Sequence, residues 1–124
     1  MSSPTLNIVT RKTDTAVVLE LHGDVNSEGD APIKDAYHTA VAAGGATTVL
    51  FNLSNTAYIN TSGISVLISI VMEAKKTGNK ILVSGVSTHY KKVFDLVRFS
   101  LYVTMFDTEE AALASLTSTS LPSE

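Results

Sequence analysis

Apolar and polar positions fall into blocks whose spacing changes along the chain, and the spacing decides the element. Residues 6–10 (LNIVT) and 16–21 (AVVLEL) are β-branched and aliphatic runs on either side of Lys12-Thr13-Asp14-Thr15, a polar link of hairpin length. They predict an opening hairpin. Asp24, Glu28 and Asp30 precede a helical period over 31–43, with Ile33, Tyr37 or Ala36, Ala40 and Val41 on one face, Pro32 in the first turn and Gly44-Gly45 as the stop. Residues 47–53 (TTVLFNL) are too apolar to leave one face wet, as expected for a central parallel strand. A polar connection over 54–61 carries Tyr58 and Ile59 and leads into a helix over 62–76, ended by Thr77-Gly78-Asn79. Then come a buried strand at 80–84 (KILVS), a helix over about 88–97, a strand at 103–106 and a last helix. That helix opens at Asp107-Thr108-Glu109-Glu110, where Asp107 or Thr108 is the N-cap and the acids sit at the positive helix end, and it ends near Leu116.

Strand and helix alternate from residue 16 onward, which implies right-handed crossovers and a mixed, mostly parallel sheet of about five strands flanked by about four helices. The fold class is α/β. At 124 residues the chain is one domain, spanning 5–116 between a loose start (1–4) and a loose tail (117–124). A hydrophobic share of 44% suffices for a core without staples, and the absence of cysteine excludes disulfides and thiolate chemistry and suits a reducing cytoplasm. A net charge of −3 gives no footprint for nucleic acid or an anionic membrane.

Charge is unevenly placed: after Asp35 the next ionised side chain is Glu73. A membrane span needs about 18 apolar residues, whereas the apolar run over 64–72 is shorter and holds Ser65 and Ser69. The neutral stretch is therefore partly interior and partly a surface on which something docks.

Catalytic patterns are missing. Gly78-Asn79-Lys80 lacks the upstream glycine of a phosphate-binding loop and follows a helix, and Ser62 lacks the flanking glycines of a nucleophile elbow. His22, His38 and His89 fall in three elements without metal-ligand spacing. No catalytic residue, cofactor or metal is expected.

Asn60-Thr61-Ser62-Gly63 stands out because it lies where the carboxyl end of the sheet meets a helix, a place where ligands bind in open α/β sheets. Ser62 there can cap the helix. The same position stabilises a phosphoryl group through free amides and the helix dipole, so Ser62 is a plausible switch. On a wheel with Ile64 at 0°, advancing about 100° per residue, Leu67, Ile68, Val71 and Ala74 form a core stripe, with Ser65, Ser69, Glu73 and Lys76 toward solvent. Val66 and Ile70 fall together on one edge of the wet side and suggest a docking patch beside Ser62.

With these residues in place the chain resembles the STAS domains of single-domain bacterial anti-sigma factor antagonists. The likeness rests on the order of elements over 5–116, on His22-Gly23 with the acids after it, on Leu50-Phe51-Asn52-Leu53-Ser54 and Ile59-Asn60-Thr61-Ser62-Gly63-Ile64, and on Phe106-Asp107-Thr108-Glu109-Glu110-Ala111-Ala112-Leu113. The resemblance implies phosphorylation at the hydroxyl before the glycine, Ser62, with Thr61 as the alternative. It implies an anti-sigma factor that is also a GHKL serine kinase as partner, a metal-dependent serine phosphatase as the restoring enzyme, and Mg-ATP belonging to the kinase. The partner surface so implied comprises Asn26, Tyr58, Asn60, Thr61, Ser62, Gly63, Ser65, Val66, Ser69 and Ile70, on a monomer or weak dimer. Asn60 and Asn26 stand where the family commonly has aspartate, and an amide brings no negative charge beside the hydroxyl. A scaffold component that binds partners without efficient phosphorylation is the alternative, and a small-molecule-binding STAS domain a lesser one.

Overall fold

A computed structural model describes residues 6–25, 30–42, 47–56 and 58–118. Five strands, β1 (Asn7–Lys12), β2 (Val17–His22), β3 (Thr48–Asn55), β4 (Lys80–Ser84) and β5 (Thr104–Phe106), form one sheet in the order β1-β2-β3-β4-β5. β1 and β2 are the expected antiparallel hairpin, and the other pairings are parallel. Thr13 closes the hairpin, its hydroxyl donating to Ala16 O (3.0 Å) and accepting from the Ala16 amide (3.0 Å).

The helices are α1 (Asp30–Ala42), α2 (Thr61–Thr77), α3 (Thr88–Leu96) and α4 (Glu109–Ser118). Crossovers of one hand that all step the same way along the sheet put their helices on one face. Accordingly Ile33 and Tyr37 of α1, Leu67 and Val71 of α2, and Phe94 of α3 share a core with Leu19, Phe51 and Val83 of the sheet. α4 folds back over the other face, where Ala112 meets Val18, Leu50 and Leu82. Both faces are thus covered, which is why Val17, Val18 and Leu19 are all buried. Because the strand order never reverses, the turn before α2 does not lie in the split that a reversal opens.

Other differences are local. A 3-10 turn, Phe99–Leu101, interrupts the link from α3 to β5, entered through Arg98 in the left-handed region (φ 64°) and pinned by buried Phe99 against Phe94, ring centroids 4.8 Å apart. α4 runs two residues into the expected tail, while residues 1–4 and 119–124 lie outside the described residues. Its N-cap is Thr108, which accepts from the Ala111 amide (3.0 Å), and Asp107 instead pairs with Lys91 (2.6 Å). No described helix is long and apolar enough to cross a membrane.

A polar cluster ties α4 to the sheet. Arg11 donates to Glu20 Oε2 through Nε (2.7 Å) and to Glu109 Oε1 through Nη2 (2.5 Å), and Asn52 Nδ2 donates to the same Glu109 oxygen (2.8 Å). Arg11 holds the Glu109 carboxyl below the usual carboxylate range, and the His22 ring and Arg11 do the same for Glu20. A depressed folded-state value means stability that is fully present above about pH 4.5, the ordinary value, and is lost as pH falls through the depressed one. Melting temperatures of the parent and Glu109→Gln are therefore expected to differ at pH 7 and to converge as pH falls through the depressed value. A gap that persists in acid would show that the charge plays no part.

Candidate functional site

The turn between β3 and α2 is held from three sides before α2 begins. From β2, the Thr56 hydroxyl donates to Leu21 O (2.9 Å) and the Gly23 amide to Asn55 O (3.2 Å). Beyond β2, Val25 and Ile59 form an isolated parallel bridge, with Val25 N donating to Tyr58 O (2.9 Å) and Asn60 N to Val25 O (3.0 Å). From α3, the buried Tyr90 hydroxyl accepts from the Ile59 amide (3.0 Å). Tyr90→Phe keeps the ring and leaves that amide without its acceptor, which costs about 1 to 3 kcal/mol. The expected result is a lower melting temperature and faster hydrogen exchange at Ile59; unchanged exchange would show that the contact does not hold the turn.

α2 then starts on Asn60. Its backbone is extended (φ −88°, ψ 179°), its Oδ1 accepts from the Gly63 amide (2.8 Å), and its carbonyl accepts from Ile64 N (3.0 Å). The expectation that Ser62 caps the helix is corrected. Asparagine is as strong a cap as serine, and Asn60 occupies the non-helical position that capping requires, whereas Ser62 is already the second helical residue. The correction matters chemically, because the half-buried Ser62 hydroxyl makes no hydrogen bond among the described residues. The amides of Thr61 and Ser62 lack an intrahelical partner, and no acidic side chain occupies the first turn. An anion on Ser62 would meet the positive end of a 17-residue helix.

Gly63 is explained by close approach. A Cβ there would lie 2.7 Å from both Val25 Cγ1 and Val25 O and 3.1 Å from Ile59 Cγ2, so only glycine lets α2 start against the Val25–Ile59 bridge.

Around Ser62 the structure brings together exposed Tyr58, Thr61, Ser65 and Ser69 with half-buried Asn60. Val66 and Ile70 do not join them. At 4% and 1% exposure they belong to the core, so the expected docking patch on those two residues is overturned. The physical reason is that α2 packs against both the sheet and α1, where Glu73 meets His38 (2.7 Å), and its buried arc is centred between Leu67 and Ile70. Ile64 and Ile68, expected inside, move to the flank and stand half-buried with Met72 along the Ser65–Ser69 face. These residues were missed because apolar side chains occur almost all round the helix, which leaves the phase of a wheel undetermined. Asn26 lies outside the described residues.

No group of three histidine or acidic side chains suited to a metal occurs among the described residues. His22 contacts Glu20, His38 contacts Glu73, and His89 stacks edge-on to Tyr90.

A model of the STAS domain family matches residues 7–112. The anti-sigma F factor antagonist of Lysinibacillus sphaericus is 26% identical over 108 residues, which cover 87% of this chain and 89% of the relative. The anti-sigma factor antagonist SpoIIAA in its unphosphorylated form superposes with a TM-score of 0.71 at 22% identity, over 91% of this chain and 98% of the other, and a phosphorylated form of the Bacillus protein is also similar. The STAS domain of a SulP transporter from Vibrio cholerae gives 0.69 at 18% identity, over 88% and 87%. Likenesses at these identities establish a fold, which can host several functions. With the family match spanning nearly all the described residues and the Asn60-Thr61-Ser62-Gly63 turn set between β3 and α2, the chain belongs to the STAS domain family.

Proposed function

We propose that this domain is an anti-sigma factor antagonist, a binding module without a reaction of its own, which docks an anti-sigma factor on the start of α2. One observation carries this reading: the Ser62 hydroxyl, uncommitted among the described residues, stands on the first turn of α2 beside exposed Tyr58, Thr61 and Ser65 and the aliphatic flank of Ile64 and Ile68. The name of the Lysinibacillus relative supports the partner class. In this reading the partner is also a serine kinase working in the bacterial cytoplasm. It transfers the γ-phosphoryl of its own Mg-ATP to Ser62 Oγ, with ADP leaving and the hydroxyl proton released. A metal-dependent phosphatase reverses the modification.

Asn60 is compatible with this chemistry, because its Oδ1 is spent on capping and the neutral amide adds no charge to repel the phosphate. Incubation with the kinase partner and ATP is expected to add one phosphate, located on Ser62 by mass spectrometry and lost in Ser62→Ala. Phosphate on another residue would overturn the switch assignment. Tight binding with no transfer would instead favour a scaffold role.

A further inference from the structure

The carboxyl end of α2, opposite to the end that carries Ser62, borders a second surface. α2 climbs ~20 Å between Ser62 and Lys75 at 1.5 Å per residue, and there Lys75 meets Tyr102, the residue that closes the 3-10 turn. Leu96, Val97, Leu101 and Tyr102 are 82%, 43%, 68% and 44% exposed, four of the six large apolar side chains exposed among the described residues. They are not a loose loop, since buried Phe99 anchors the segment and left-handed Arg98 sets the turn that displays its neighbours.

Charge separates this surface from the rest of the molecule. Lys75, Lys76 and Lys80 cluster around the end of α2 and the start of β4, and Arg98 sits in the turn that follows α3, whereas Lys91 pairs with Asp107 at the other end of α3. A groove of about 280 Å³ opens beside Leu101 and Tyr102, with buried Ala74 and Ile81 inside, Lys75 and Lys80 among its lining residues and no carboxylate among them. The Lys75 ammonium lies 5.0 Å from the centre of the Tyr102 ring, which fixes one cation at the groove.

We propose that this groove binds an acidic polypeptide segment of a second partner, which seats an apolar side chain between Ile81 and Tyr102 and sets its carboxylates against Lys75 and Lys80. Complementarity selects the occupant: a cationic, concave, apolar site accepts a protruding side chain flanked by negative charge, whereas a bilayer surface fills no groove. The site is independent of the Ser62 turn, so both can be occupied at once.

The test is a titration of the isotope-labelled protein with a ten-residue peptide of alternating leucine and glutamate, followed by amide NMR. The expected result is saturable shifts centred on Ile81, Leu101 and Tyr102, unchanged in Ser62→Asp and weakened about tenfold in the Lys75→Glu/Lys80→Glu variant, as loss of charge complementarity requires. Leu101→Ala, which leaves the charges in place, is expected to weaken binding as well. The proposal is overturned if a leucine and lysine peptide binds equally, if no saturable shift occurs, or if vesicles of phosphatidylglycerol are bound while the acidic peptide is not. Self-association that produces the same shifts without peptide also overturns it.

Discussion

Replacing Gly63 by alanine is expected to lower both stability and partner binding, although it adds a single methyl group. The new carbon would sit 2.7 Å from Val25 O and Val25 Cγ1, and neither can swing aside: the carbonyl accepts from Asn60 N, and Val25 is wholly buried. The first turn of α2 must move instead. Overpacking of this kind costs about 1 to 3 kcal/mol, or roughly 4 to 12 °C in melting temperature for a domain of this size. Gly78→Ala is the control. Gly78 ends α2 with φ 79° and open space around its Cβ position, so alanine there meets a backbone penalty of about 1 to 2 kcal/mol but displaces nothing near Ser62. Both variants should melt earlier, and only Gly63→Ala should bind the anti-sigma factor more weakly per folded molecule. A Gly63→Ala protein that melts and binds like the parent would mean that the close approach to Val25 is unimportant.

Charge at Ser62 is expected to separate binding from stability. A phosphate there adds about 1.5 to 2 negative charges at neutral pH, next to two amides without an intrahelical partner and the positive end of α2, so the isolated fold should melt within a few degrees of the unmodified one. In a complex the same charge is enclosed against a surface without formal charges, because residues 36–72 hold no Asp, Glu, Lys or Arg. An uncompensated buried charge costs about 3 to 5 kcal/mol, which at 1.4 kcal/mol per tenfold is a loss of roughly 100- to 4000-fold in affinity. Ser62→Asp should fall toward the lower end. Comparing melting curves with binding isotherms of parent, Ser62→Asp and Ser62→Ala checks the separation; equal affinity for the aspartate variant would place the interface elsewhere.

Most of the scaffold is legible in the sequence for a clear reason. Period-two and period-3.6 runs are bounded by strong stops such as Gly78, whose left-handed conformation closes α2 with Asn79 N donating to Ala74 O at 2.9 Å. The run Val49-Leu50-Phe51, buried throughout, accords with a strand too apolar to leave one face wet. What the sequence hides is long-range. Nothing local to Tyr90 shows that its hydroxyl will hold Ile59, 31 positions earlier, or that Arg11 will reach Glu109 across the sheet. The phase of α2 is hidden for the same reason, since whether Ile70 or Ile64 turns inward depends on α1 and the sheet arriving together. At the site itself, the segment is legible and its internal roles are not: Asn60 caps, and the Ser62 hydroxyl makes no hydrogen bond among the described residues.

In the proposed function Ser62, at the first turn of α2, is the switch of a docking surface for an anti-sigma factor. Calorimetric titration of that factor with the unmodified protein and with protein carrying one phosphate on Ser62 tests it most directly. The expected result is a one-to-one complex with the unmodified form and at least a hundredfold weaker binding after phosphorylation, with a melting temperature within a few degrees of the unmodified protein's. Equal affinity for the two forms would contradict it.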